Sequence, residues 1–215
     1  MNSFDYIVKK YNLNIGNQYI VEIPNIGRDN MAELFAELNF NRGAEIGVFK
    51  GKYSEVLCKV NPQATIYGID AWKLDAHPEG VFVGGETQQF FDDIYKEAQK
   101  RMAPYKNYTF VKKYSMDAVK DFPDNSLDFV YIDAGHDFVN FTNDLHYWLK
   151  KVRVGGIMSG HDYARYPFRK LIHVKRALEA YVWSYRMLPL FIVGSLDYKE
   201  GEIRDRYRSW FWVKT

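Results

Sequence analysis

The sequence predicts an α/β fold, a mostly parallel sheet with helices on both faces, and three observations carry that prediction. Short apolar runs alternate with amphipathic stretches from residue 44 onward. The runs are apolar on both faces, the pattern of strands covered above and below in a parallel sheet. The chain then closes on two apolar runs with no helix between them, which must pair antiparallel as a hairpin. A length of 215 residues fits one core. With 29 basic and 27 acidic residues the net charge is +2, so no strong field recruits nucleic acid or anionic membrane. Cys58 is the only cysteine, which excludes an internal disulfide and a cysteine-cluster metal site. The start "MNSFDYIVKKYNLN" lacks the apolar stretch of a signal peptide. No apolar run approaches the roughly 18 residues of a membrane span, and the expected location is cytoplasmic.

In chain order, residues 3 to 11 carry a short helix and "DNMAELFAELN" (29–39) a stronger one, opened by Asp29 or Asn30 as cap. Residues 1–40 therefore form an N-terminal helical extension packed on a domain spanning 41–215. The core strands are "AEIGVF" (44–49), "ATIYGID" (64–70), "YTFVKK" (108–113), "LDFVYID" (127–133) and "GGIMSG" (155–160). Between the last two, Phe141, Leu145, Trp148 and Val152 recur at helical spacing. "FRKLIHVKRALEAYVW" (168–183) carries another helix, with Leu171, Val174, Leu178 and Val182 on one face. "LPLFIVGS" (188–195) and "YRSWFWVKT" (207–215) are the closing pair, joined by the charged "LDYKEGEIRDR". Residues 71–91 hold His77, Gly80, Gly84 and Gly85 without clear periodicity, and read as a substrate lid or a mobile insertion.

The first ligand signal is "EIGVFKGKYSEVL" (45–57), which sets Gly47 and Gly51 between a core strand and a helix. Glycines there permit a tight turn and close approach of a ligand to the backbone. Alone, Gly-x-x-x-Gly also describes an ordinary turn. Asp70 at the end of the next strand, where open α/β sheets bind ligands, shifts the reading to a nucleoside site with the acid on a ribose diol. The second signal is a pair of strand ends. "VYIDAGHDF" (130–138) runs into Asp133, His136 and Asp137, and "GGIMSGHDY" (155–163) into His161 and Asp162. Asp137 reads as a helix N-cap. His146 and His173 lie inside helical patterns and read as packing or surface residues.

In this order, "EIGVFKGKYS", "IYGID", "FVYIDAGHDFVNFTNDL", "VRVGGIMSGHDY" and "SWFWVK" resemble the class I S-adenosylmethionine-dependent methyltransferases, most closely the subgroup called methyltransferase family 24. The resemblance covers about residues 40 to 215. It implies a Rossmann-like seven-stranded, mostly parallel sheet with an antiparallel last strand and helices on both faces, in agreement with the closing pair read above. It also implies S-adenosylmethionine as cofactor, with Glu45, Gly47 and Gly51 along its methionine and ribose portion and Asp70 on the ribose hydroxyls. Ser115, Met116 and Asp117 would border adenine, although Met116 also suits core packing and Asp117 a helix cap. Asp133 would lie beside the reacting methyl.

Methyl transfer to a hydroxyl needs alignment and a base or a metal. His136 suits the base, having an ordinary pKa near 6.5. Cation-dependent relatives place an acid at the end of strand four and an Asp-Asn or acid pair at the end of strand five. Here the metal set would be Asp133, His161 and Asp162, for Mg²⁺ or, given the histidine, another divalent cation. Without metal, His136 or His161 is the base, oriented by Asp133 or Asp162. The acceptor expected is a small molecule, a sugar or secondary metabolite, methylated on oxygen; a homodimer is compatible. Two other readings stay open, an oxidoreductase or hydroxylase-like enzyme on the same scaffold and a cofactor-binding regulatory module. The missing Gly-x-Gly-x-x-Gly argues against the first.

Overall fold

Alternation along each central strand decides the architecture. In Leu127–Ile132, Phe129 and Tyr131 pack to one side of the sheet while Val130 and Ile132 pack to the other, all buried. Trp210 and Trp212 likewise oppose Phe211. With both faces apolar, the sheet has to be covered twice. The computed structural model describes residues 1–76, 87–165, 173–197 and 199–215. Its elements are α1 (Ser3–Lys10), β1 (Ile20–Ile23), α2 (Arg28–Glu37), β2 (Arg42–Ile46), α3 (Lys52–Val60), β3 (Thr65–Asp70), α4 (Gln88–Met102), β4 (Tyr108–Lys112), α5 (Ser115–Ala118), β5 (Leu127–Ile132), α6 (Phe138–Lys151), β6 (Val152–Tyr163), α7 (Val174–Tyr185), β7 (Leu190–Val193) and β8 (Arg208–Val213). The first three helices cover the Phe129 side, and the last three cover the Val130 side.

The sheet is the Rossmann-like arrangement expected, with one strand more. Its eight strands run β1-β7-β8-β6-β5-β2-β3-β4, and β8 alone is antiparallel to its neighbours β6 and β7. The extra strand is β1, which pairs parallel with β7 from Ile20↔Leu190 to Ile23↔Val193. Residues 1–40 are thus not purely helical, because they supply the sheet's edge. Four residues are too few to show a period, which is why the pattern hides them. Val21 and Ile23 are buried, and Glu22 reaches the buried Arg208 of β8 at 2.5 Å.

Several local expectations are refined. The second helix begins at Arg28 behind Gly27, with neither Asp29 nor Asn30 as cap. Asn30 instead reaches back to accept the Gly27 N–H at 2.9 Å, and Asp205, from the β7–β8 connection, accepts the Arg28 N–H at 2.6 Å. Asp117 lies within α5 and pairs with Lys120, so it caps nothing. Asp137 does cap α6, accepting the N–H groups of Val139 and Asn140 at 3.1 Å. His146 packs among Tyr147, Tyr181 and Tyr185. His173 stands just before α7, and its Nδ1 accepts the Phe138 N–H at 3.0 Å, tying the starts of α6 and α7 together. The first part of the predicted 168–183 helix, including Leu171, falls outside the described residues, as do His77, Gly80, Gly84 and Gly85 of the expected lid. Among the described residues no helix is long and apolar enough to cross a membrane.

Because β1 belongs to the one sheet, Ile23→Ala should lower global stability by about 2 to 5 kcal/mol within a single urea transition. A separate early transition, with the main one unmoved, would show the N-terminal segment to be an independent unit.

Candidate active site

The carboxyl ends of β2, β3 and β5 open into a cavity of about 600 Å³. At its floor Gly47 has a left-handed φ of +94°, and a Cβ there would lie 2.1 Å from the Asp133 carbonyl oxygen. Only glycine lets the loop after β2 pass so close to the end of β5. Gly51, with φ +71°, is the cap position of α3; no atom crowds it, so its requirement is the backbone angle alone.

Asp70 holds that loop. Its Oδ2 accepts the N–H groups of Val48 (3.1 Å) and Phe49 (2.9 Å), and its Oδ1 accepts Trp72 N–H (2.8 Å). A carboxylate offers about four acceptor positions, so one is left for a ligand hydroxyl at the cavity wall. Glu45 is buried behind the loop with Ser54 donating to it, and burial pushes its carboxyl up to about 8. Burial thus favours its protonated form near neutral pH.

On the α5–α6 side, Ser115 donates to Asp144 and accepts Trp148 Nε1–H at 2.8 Å. Asp144 is buried, which pushes its carboxyl up to about 7. Met116 is half-buried in the same wall and packs on the core.

The two strand-end clusters do meet. His136 Nε2 lies 2.8 Å from Asp162 Oδ2 and 4.0 Å from Asp133 Oδ1. His161 Nδ1 lies 3.5 Å from Asp162 Oδ2 and 3.9 Å from Asp133 Oδ1. In a regular strand His161 and Asp162 would face opposite sides. Here β6 carries a register shift between Gly160 and Tyr163 with Asp162 at φ +62°, and both side chains reach the cluster. Burial works against the Asp162 charge, but hydrogen bonds from His136 and His161 and their charges hold its carboxyl well below the usual range. Burial pushes Asp133 up, against the pull of His161 and His136. Burial would lower both histidines; the Asp162 hydrogen bond and the two acids' charges outweigh it and raise them. Asp133 and His136 line the cavity, while His161 and Asp162 stand outside its wall. Asp133, His136 and Asp162 each offer a ligand atom within 4.8 Å of the others, a possible cation set in which His136 takes the place expected for His161.

Sequence reasoning singled out neither Arg28 nor Tyr53 nor Asp144. Arg28 Nη1 approaches Asp133 Oδ2 at 3.5 Å, and its guanidinium lies over the Tyr53 ring at 5.1 Å.

A family model described as a methyltransferase domain, methyltransferase family 24, matches residues 44–163. The chain belongs to this methyltransferase family. Among solved structures, an O-methyltransferase from Bacillus cereus in complex with SAH aligns with a TM-score of 0.58 at 15% identity, over 87% of this chain and 80% of that one. The O-methyltransferase TomG from Streptomyces achromogenes, involved in tomaymycin synthesis and in complex with SAM, aligns with a TM-score of 0.57 at 16% identity, over 97% and 86%. These likenesses show the methyltransferase fold. No curated protein matches the chain by sequence. The matched segment begins after Arg28 and β1 and ends before β7 and β8, so the Arg28 contact to Asp133 is added from outside the family pattern.

Asp70→Ala would leave the N–H groups of Val48, Phe49 and Trp72 without their acceptor. A stability loss of about 2 kcal/mol is expected, together with faster amide exchange at those three positions. Unchanged exchange would show that the carboxylate does not hold the loop.

Proposed function

We propose that this methyltransferase transfers a methyl group from S-adenosylmethionine to a hydroxyl oxygen of a small molecule. The supporting observation is that one cavity joins a nucleoside-type cradle to an imidazole–carboxylate pair. The cradle fits the cofactor: Gly47 keeps the loop close, Asp70 retains an acceptor position, and Ser115, Met116 and Asp144 form the opposite wall. When bound, S-adenosylmethionine supplies a methyl on a sulfonium that an oxygen nucleophile displaces directly.

The residues then divide the work. Asp162, ionised, takes the Nε2–H of His136, which leaves Nδ1 as the acceptor nitrogen. The acceptor's hydroxyl proton passes to His136 as the new O–C bond forms, and the imidazolium produced is stabilised by Asp162 and Asp133. His161 keeps Asp162 charged rather than touching the acceptor. The chemistry of the O-methyltransferase relatives favours oxygen over nitrogen, and the acceptor class follows the resemblance, a sugar or secondary metabolite. The lone Cys58 is buried and free, in keeping with a cytoplasmic setting.

A second reading has its own observation, the 4.8 Å grouping of Asp133, His136 and Asp162. A divalent cation there would lower the pKa of a bound hydroxyl, and the imidazole favours a transition metal over magnesium. It would also have to break the His136–Asp162 hydrogen bond and sit near the Arg28 charge.

Calorimetry should show binding of S-adenosylmethionine and none of NAD; the reverse result would sink the methyltransferase reading. Methyl transfer should then be found in a library of hydroxylated small molecules and persist after EDTA treatment. Activity abolished by EDTA and restored by a divalent ion would assign the cation reading instead.

The pH profile gives a sharper check. Neutral His136 is the active form and its pKa lies above 6.5, so the rate should rise with pH through an apparent pKa above that value. Asp162→Asn removes the anion that favours the imidazolium and should shift the limb to lower pH. His136→Asn should cost roughly 10²- to 10⁴-fold in kcat. A limb that stays in place in Asp162→Asn would remove His136 from the base role.

A further inference from the structure

We propose that Arg28 is the anchor for the carboxylate of the cofactor's methionine, a contact supplied by the N-terminal segment rather than by the family's own motifs. The inference rests on the S-adenosylmethionine reading above. It begins with how firmly this side chain is presented. Its backbone N–H is fixed by Asp205 at 2.6 Å, its carbonyl accepts the Tyr53 hydroxyl at 3.0 Å, and the guanidinium lies over the Tyr53 ring at 5.1 Å. An arginine so placed has lost most of its freedom before any ligand arrives.

Its hydrogen-bonding capacity is nonetheless unspent. A guanidinium has five N–H donors. Among the described residues, its ionic contact is the single 3.5 Å approach of Nη1 to Asp133 Oδ2, with no closer side-chain hydrogen bond. The Arg28 side chain is 29% exposed and lines the cavity. A half-enclosed, rigid and under-used guanidinium is a ready site for a planar anion that can accept two parallel hydrogen bonds.

The course of the cavity selects which anion. It passes over the ends of the strands, from Ser115, Met116 and Asp144 on the α5–α6 face to Arg28 and Tyr53 on the α2–α3 face, with Asp70 and Gly47 between. A nucleoside with its base at the first group and its ribose at Asp70 sends its 5′ substituent across the Gly47 turn toward Arg28. In the cofactor that substituent is an amino acid and ends in a carboxylate. An acidic acceptor would offer the same chemistry, and the test separates the two sources.

Binding of S-adenosylhomocysteine and of its decarboxylated analogue, which differ by the carboxylate alone, is compared by calorimetry in the full chain and in Arg28→Gln and Arg28→Lys. Arg28→Gln should weaken S-adenosylhomocysteine by about ten- to a hundredfold, the loss of charge-assisted hydrogen bonds. It should leave the decarboxylated analogue within about twofold, and Arg28→Lys should recover part of the loss as a point charge. Equal weakening of both ligands, or no change in either, overturns the assignment; unchanged S-adenosylhomocysteine affinity with reduced methyl transfer would move the anion to the acceptor. If the unaltered protein binds neither ligand, the cofactor reading itself falls, which is a different result from its binding both and ignoring Arg28.

Discussion

Two carboxylates cannot share an enclosed space unless something answers their charge, and in this protein that constraint falls on Asp133 and Asp162. His136, His161 and Arg28 answer it, each arriving by a different route. His136 comes three residues after Asp133 on the same strand end. His161 is brought round by the irregularity in β6, which also turns Asp162 inward. Arg28 comes from a helix start far away in sequence. Each cation lost would make the acids' charges costlier to hold, because an unpaired buried charge is expensive. The bulge, the His173 latch between α6 and α7, and the Asp205 cap all serve to keep these groups together.

The other cavity acids are handled by the opposite means. Glu45 and Asp144 have no ion pair among the described residues, and burial raises each carboxyl against the hydroxyl that donates to it. Their folded-state pKa values, about 8 and about 7, lie above those of free carboxyls. The folded state therefore binds more protons than the unfolded chain, and both acids weaken the fold as pH climbs from about 4 toward 8. The cavity thus combines a cluster whose charges compensate with two acids whose charge burial suppresses.

Much of this was legible in the sequence. The double-sided apolar runs gave the sheet, the unhelical closing pair gave the reversed strand, and the coincidence of "IDAGHD" with "SGHDY" gave the cluster. The glycine pair and Asp70 located the cradle. What could not be read has physical causes. β1 is too short to show a period, and Arg28 is positioned by Asp205, Tyr53 and Asp133, none of them near it in sequence. Asp70 looked like a ligand residue, while its first partners are three backbone N–H groups that only the folded loop creates. Asp144 did leave a trace. It falls on the apolar stripe of its helix, between Phe141, Leu145 and Trp148, where an acid has no packing reason to be.

The position of β8 bears on how the molecule comes into being. It lies between β6 and β7, and among the described residues β1 pairs only with β7, so β1 has no seat in the sheet until that much later strand has been made. The cap on Arg28 spans 177 residues and waits for the same hairpin. Contacts of such separation close slowly and late. During synthesis β1 waits unpaired, with apolar Val21 and Ile23 uncovered, until β7 has emerged. The cluster at the strand ends therefore gains Arg28 in its capped position only after the β7–β8 connection has formed, long after Asp133, His136, His161 and Asp162 have been made.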